Sequence, residues 1–450
     1  MLHRVVFVVA AVVANVVGLG APTAASMPTQ VSVAAPNSGL LPPLPIERHP
    51  KLDSHLVAIA SATRIAGVAE GLRVAGEHEL AVSADSVRVV IKGNGDRFTV
   101  REAVRAAGGR VDAEYADLIQ AFVPVSALRK IAELPIVSYV SQPSVPVADA
   151  VIDEAVVGTN ASAWQGAGVS GLGIKVGIID LGFLGYTAKQ ATGDLPASLT
   201  TADFGCGGVA TRMDHGTAVA EIVYKTAPGA QLYLICVDTT VNLGQAKDYA
   251  IAQGITIINH SVGWPNTSRG DGTGAAGTPD AIVADARAHG ILWVNSAGNS
   301  AQRHWSGTFT DADADRWHEF APGDELDDIG IVAAGRVCVS LKWDSWPTTT
   351  QDFNLYLYRL ADLSVAVVGS TNVQNGSQPP TERFCYTNTT GISQRFGIAI
   401  RKYAAQAAPR FDLLAALVTL SSVIHTSRVL HPAFSPHPCA SWHHVCADLA

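Results

Sequence analysis

The chain has 450 residues, 48% of them hydrophobic and 16% charged, with a formal net charge of −8. That length holds two or three domains with substantial cores, and the balance excludes a disordered chain. The thin negative charge leaves no basic stripe, which argues against nucleic acid as a partner.

Arg4 is followed by an apolar stretch, Val5 to Gly18, and then by "APTAAS", whose small residues suit cleavage near Ala25–Ser26. Residues 1–25 therefore read as a signal peptide, too short for a comfortable membrane span. No later segment reaches 18 uninterrupted apolar residues. The expectation is a secreted, extracellular protein with no membrane contact after signal removal. Six cysteines in an exported chain permit disulfides. Cys206 and Cys236 lie in one region, Cys338 and Cys385 in another; pairing within each set is compatible with the spacing, which does not decide it.

Residues 26–84 read as a linker of low order, on the Pro, Ser, Ala and Thr content of 26–50. A compact unit is expected over 85–142. "VRVVIK" (87–92) reads as a strand, and Thr99 with Glu102 as a capping box for the helix "REAVRAA", stopped at Gly108-Gly109. Two strands follow, "GRVDAEY" and "LIQAFVPV". Ser126 reads as the cap of "ALRKIAEL", and "IVSYVSQP" closes the unit. The order β-α-β-β-α-β suggests a ferredoxin-like α+β sandwich.

From about 150 to 305 the pattern is α/β. Apolar strands at 174–180, 231–237, 255–259 and 291–297 alternate with helical stretches at 215–225, 243–254 and 279–290. Near-continuous apolar strands separated by helices predict a parallel sheet covered on both faces. Residues 306–412 then alternate at period two, with Val337, Val339, Leu341 and Trp343 on one face, and read as a β-sandwich.

Three residues carry the chemistry. Asp180 ends the strand "IKVGIID", at the rim where parallel sheets assemble their sites; a turn aspartate would look the same. His215 opens the helix "HGTAVAEIV" and shares a face with Val219 and Ile222, so its ring points with the buried stripe. A ring there takes a proton at Nε2 while a carboxylate holds Nδ1–H. Asp214 is adjacent, but neighbouring helical residues point apart, so Asp180 is the better partner. Asn299 follows the strand "ILWV" in "NSAGNSA", where a carboxamide N–H can donate to a developing oxyanion. A turn asparagine is the plainer alternative.

In this order, "VGIIDLG", "DHGTAVAEIV" and "NSAGNS" resemble the blocks of subtilisin-like serine peptidases. The resemblance implies a three-layer domain with a central parallel sheet, preceded by the ferredoxin-like propeptide unit and interrupted or followed by the β-sandwich. It implies that Asp180 orients, His215 is the base and Asn299 stabilises the oxyanion. It also implies that Ser261, Val262 and Gly263 in "INHSVG" line a cleft for extended polypeptide substrate. The 85–142 unit resembles the family's propeptide, a folding aid and temporary inhibitor, with a cut expected within 143–160.

One block is missing. The 151 residues after Asn299 contain no Gly-Thr-Ser followed by small residues. "HTSRVLHP" offers Ser427, but with His425 in place of Gly and Arg428 and Leu430 in place of small residues. Residues 413–450 read as an incomplete or aberrant end, out of frame or lacking the serine block. The histidines and cysteines of "HPCASWHHVC" lack zinc spacing. No cofactor is expected. Calcium at "DADAD" (311–315) or "DELDD" (324–328) is the alternative to solvated acidic turns, since the Gly and Glu of an EF-hand loop are out of register.

Overall fold

The computed structural model describes residues 47–95, 97–148, 156, 159–298, 300 and 303–417. The expected signal peptide, Asn299 and the tail after 417, with Ser427, lie outside them. Two compact units form, one from 144–299 and the other from 47–143 with 300–417.

In the second unit, α1 (Ser54–Ala66) and α2 (Val68–Glu77) stand where a linker of low order was expected over 26–84. Leu56 and Ile59 give α1 an apolar face, and Asp53 Oδ1 caps it by accepting the Leu56 N–H at 3.0 Å. Gly67, at φ 89°, separates the helices. The linker reading took its composition from 26–50, and the helix-forming content of 54–77 overrides it.

The strands β1 (Val82–Ser83) and β2 (Ser86–Gly93) come next, then α3 (Arg97–Ala106), β3 (Arg110–Tyr115) and β4 (Leu118–Pro124), α4 (Leu128–Glu133) and β5 (Val137–Ser141). All pairings are antiparallel: β4 lies between β3 and β2, and β5 and β1 share the far edge of β2. Val87, Val89 and Ile91 of β2, with Ile119, Ala121 and Val123 of β4, alternate into one core under Leu56, Val100, Val104 and Ile131. Two capping expectations are corrected. Thr99 lies inside α3, which starts at Arg97, and Glu102 pairs with Arg105 instead. Ser126 lies in a 3₁₀ turn, and α4 has no side-chain cap.

In the first unit, β6 (Val147–Ala148) and α5 (Ala161–Gly166) precede β7 (Lys175–Asp180), α6 (Tyr186–Thr192), β8 (Thr200–Phe204), α7 (His215–Thr226), β9 (Gln231–Val237) and α8 (Thr240–Ala252). β10 (Ile257–His260), β11 (Val262–Gly263), α9 (Pro279–Ala288) and β12 (Leu292–Asn295) complete it. Five strands form a parallel sheet in the order β12-β10-β7-β9-β8. β7 is central and buried on both faces, the reason its sequence is nearly continuous in apolar residues. α7 covers the face bearing Val176, Ile178, Leu232 and Leu234. β8 had no counterpart in the sequence reading: "TTADF" is a half-exposed edge strand without an apolar run.

The rest of the second unit is all strand: β13 (His304–Thr308), β14 (Asp327–Ile331), β15 (Arg336–Trp343), β16 (Asp352–Arg359), β17 (Asp362–Ser370), β18 (Thr381–Thr387), β19 (Gln394–Ala404) and β20 (Arg410–Leu417). They form two antiparallel sheets, β13-β20-β15-β18 and β14-β19-β16-β17. Val337, Val339, Leu341 and Trp343 share one buried cluster with Phe353, Leu355, Phe396, Ile398, Phe411 and Leu413. Disulfides join Cys206 to Cys236 and Cys338 to Cys385.

A polar knot ties the two parts of this unit. The Arg48 guanidinium donates to both Asp352 oxygens at 2.9 Å and to the carbonyls of Thr371 and Asn372. The Ser54 N–H donates to Asn372 Oδ1 at 2.9 Å. Beside it the buried Glu382 accepts from Gln374 at 3.0 Å and from Ser370. Burial, with Asp352 adding to it, pushes the Glu382 carboxyl up to about 8.

Two outcomes follow from the knot. Arg48→Ala strands the buried Asp352 and lowers the denaturation free energy of this unit by about 3–5 kcal/mol, read by urea unfolding. From the ordinary carboxyl value of 4.5 up to about 8, the unfolded chain releases the Glu382 proton while the folded chain keeps it. Stability therefore falls as pH climbs through that window, and Glu382→Gln flattens the fall in a pH series of melting temperatures.

Candidate active site

Asp180 closes β7 with a side chain that has no exposed surface. A carboxylate there requires donors. Its Oδ1 accepts the Leu181 N–H at 2.7 Å, and His215 Nδ1 lies 2.8 Å from Oδ2 and 3.0 Å from Oδ1. The ring stands at the first residue of α7 with its side chain 12% exposed. With Nδ1–H given to the carboxylate, Nε2 is the basic nitrogen of the neutral ring. Asp214, at the cap position, makes no side-chain capping bond, and Asp180 is the carboxylate on His215 Nδ1.

Two glycines allow this approach. A Cβ on Gly216 would stand 2.6 Å from the Gly182 carbonyl oxygen, 2.7 Å from Phe183 Cε1 and 2.8 Å from Asp180 Cβ. A Cβ on Gly182 would meet the Thr211 carbonyl oxygen at 2.4 Å. The loops after β7 and before α7 thus touch backbone to backbone. They are laced by Gly216 N–H to Gly182 O at 3.1 Å, Leu184 N–H to Met213 O at 2.8 Å and Thr217 Oγ1 to Leu184 O at 3.0 Å.

Ser261, Val262 and Gly263 follow β10. Asn259 Nδ2 donates to Ser261 Oγ at 3.0 Å, and Val262 and Gly263 are buried. β11 pairs antiparallel with β6, Val262 opposite Ala148 and Gly263 opposite Val147. Asn299 lies outside the described residues; the strand leading to it, β12, ends at Asn295, and Gly298 turns at φ 79°.

A bracing residue went unnoticed in the sequence. His260 is buried at the end of β10, and its Nε2 accepts the Trp264 indole N–H at 3.0 Å. Nδ1 therefore carries the proton and donates to Asn295 Oδ1. Burial pulls the His260 ring down to about 4, so it is neutral at physiological pH. The Ser296 N–H meets the His260 carbonyl at 3.1 Å, coupling the β11 edge to the turn before Asn299. The signal was a His-Ser pair following an apolar strand. Asp203 with Cys206 and Cys236 has metal-like spacing, but both sulfurs are spent in the disulfide.

Gly216→Ala forces the crowded loops apart. It costs about 1–3 kcal/mol and removes the far-downfield proton resonance expected of a His215 Nδ1–H held by Asp180. Gly166→Ala, in open space within 4 Å, leaves both unchanged in the same thermal melts and proton NMR spectra.

The subtilase family model (Peptidase_S8) matches residues 171–383. No curated protein matches the chain. Two structures of the epidermin leader peptide processing serine protease EpiP from Staphylococcus aureus are similar, at 15% and 14% identity and TM-scores of 0.36 and 0.32. AlgX from Pseudomonas aeruginosa is similar at 4% identity and a TM-score of 0.20, over 49% of this chain and 48% of that one. Each EpiP alignment covers 47% of this chain and 60% of that chain. The matched residues 171–383 include Asp180 and His215 in their paired geometry, and this stretch is similar to the subtilase family.

Proposed function

We propose that this chain derives from an exported serine endopeptidase acting on extended polypeptide, and that these 450 residues alone turn over little or no peptide. The observation that carries the reading is the Asp180–His215 pair, 2.8 Å apart at the C-terminal rim of the parallel sheet. In the complete reaction His215 Nε2 takes the proton of a serine hydroxyl as that oxygen attacks the scissile carbonyl. Asn299 donates to the oxyanion, and water then hydrolyses the acyl-enzyme. No serine block follows Asn299 in this sequence, which motivates the inactivity.

The N-terminal α+β part is read as a ferredoxin-like propeptide unit, supported by its strand order β5-β2-β4-β3 and helices α3 and α4. The later strands are read as a β-sandwich, supported by the cluster that its two sheets share. Export is supported by the two disulfides. Among the described residues, no helix is long and apolar enough to cross a membrane. The cleft reading for Ser261, Val262 and Gly263 is supported by β6 on β11, an extended segment of this chain held as a peptide substrate would be. That pairing also favours a second reading, capture of extended peptides without turnover.

A fluorophosphonate probe tests the proposal. No serine of the chain is expected to label, whether intact or nicked within 143–160. Stoichiometric labelling, at Ser427 or elsewhere, overturns the inactivity. Anisotropy of a labelled extended peptide gives the second readout: binding that appears only after nicking supports capture at the β11 edge.

A further inference from the structure

A disulfide lies beside the Asp180 carboxylate, and we propose that Cys206, Cys236 and Arg212 are positioning residues that latch His215 onto Asp180. The inference rests on His215 as the base proposed above and names what sets that base in place. In the parallel sheet Cys236 stands between Asp180 on β7 and Asp203 on β8, on the face that α7 covers. Its sulfur is joined to Cys206, in the segment 205–214 that runs from β8 to the start of α7.

Segment 205–214 has no helix or strand to hold its shape. Gly205, Gly207 and Gly208 turn it at φ 90°, 77° and 124°, and Arg212 sits at φ 67°, a conformation that a residue with a Cβ resists. Crosslinks hold it instead. The Asp203 carboxylate accepts the Cys206 N–H at 2.7 Å and the Gly208 N–H at 2.6 Å. The disulfide then fixes the start of the segment to β9. Arg212 fixes its end, pairing with Asp238 and donating to the Gly205 carbonyl at 3.2 Å. Asp238 follows β9 directly, so both anchors lead to the same strand end.

The latch reaches His215 by two routes. Asp214 makes no side-chain capping bond, so the segment before α7 sets where the ring begins. The other supports of α7 depend on the same segment. Gly216 N–H and Thr217 Oγ1 bond to the loop after β7, and that loop hangs on the Val209 and Met213 carbonyls. Phe183 N–H meets the first at 2.9 Å and Leu184 N–H the second at 2.8 Å. Opening the latch therefore frees the ring side and the carboxylate side together. The Cys338–Cys385 disulfide differs, since its residues sit opposite each other on β15 and β18 and brace strands that are already paired. The Asp180–His215 pair is accordingly set only once Cys206 and Cys236 have been joined. Joining them makes one S–S bond, and their two protons and two electrons leave with an external disulfide that ends as two thiols.

The test compares the full chain with its Cys206→Ala/Cys236→Ala variant by circular dichroism and NMR. The wild type is expected to show the far-downfield His215 Nδ1–H resonance. The double variant loses it at temperatures where its helical signal persists, and its ¹⁵N spectra show both His215 tautomers instead of one. Cys338→Ala/Cys385→Ala melts lower but keeps the resonance, which separates positioning from bracing. Arg212→Ala retains the disulfide and the fold, and its Nδ1 proton exchanges with water roughly tenfold faster; it decides the matter where the double variant does not fold. The latch is overturned by a resonance that survives in the folded double variant, by its loss in Cys338→Ala/Cys385→Ala, or by wild-type exchange in Arg212→Ala. Each of these leaves the peptidase reading standing, whereas a wild type without the resonance overturns both.

Discussion

One electrostatic demand organises the peptidase-like unit: a carboxylate with no exposed surface must be met by donors. Left alone, Asp180 would cost several kcal/mol of desolvation. Leu181 N–H and His215 Nδ1–H meet that cost, and meeting it dictates local sequence. Gly182 and Gly216 exist because the two loops that bring ring to carboxylate leave no room for a Cβ. The same pairing confines the imidazole to one tautomer and makes Nε2 its basic nitrogen. The bond that stabilises the buried carboxylate is thus the same one that would orient the ring as the proposed general base.

The central strands and α7 were legible because burial on both sides leaves runs such as "KVGIID" and "QLYLICV" that few alternatives explain. Boundaries moved where a single side chain decided them: α8 begins at Thr240 because Thr239 caps it by accepting the Asn242 N–H. β8 was invisible because an edge strand with alternate exposure carries no apolar run. α1 and α2 were hidden because the proline-rich composition of 26–50 was extended over the residues that follow it, up to 84. The Asp180–His215 pair was legible from order and position along the chain. His260 was not, because its role depends on Trp264 and Asn295, brought to it only by folding.

Pairing across long sequence separation accounts for the rest. Arg48 meets Asp352 across 304 positions, and nothing local to either residue announces the contact. The knot around them has a clear division of labour. The guanidinium offers a planar fork to a carboxylate and two carbonyls, while Glu382 is held by amide and hydroxyl donors. Such a network is costly when half satisfied and specific when complete. It joins the N-terminal α+β part to β16 and β18 by direction as well as by attraction. Among the described residues, these two parts form one unit although the peptidase-like segment lies between them in sequence.

That ordering bears on the edge strand. β6 lies in the same chain as β11, so its pairing is intramolecular; if β11 is the peptide edge proposed above, a tethered segment competes there at an effective concentration that reaches about millimolar for a short flexible link. Main-chain hydrogen bonds are common to every extended peptide and do not distinguish a free ligand from the tethered one. A free peptide of micromolar affinity, added at micromolar concentration, loses to the tether by about a thousandfold on mass action. Side chains fitting the walls beside β11 would have to make up about 4 kcal/mol of that difference, since each tenfold is about 1.4 kcal/mol. A cut after β6 would leave it attached to residues 47–143, which form one unit with 300–417, so freeing the β11 edge would require release of that unit as well as the broken peptide bond.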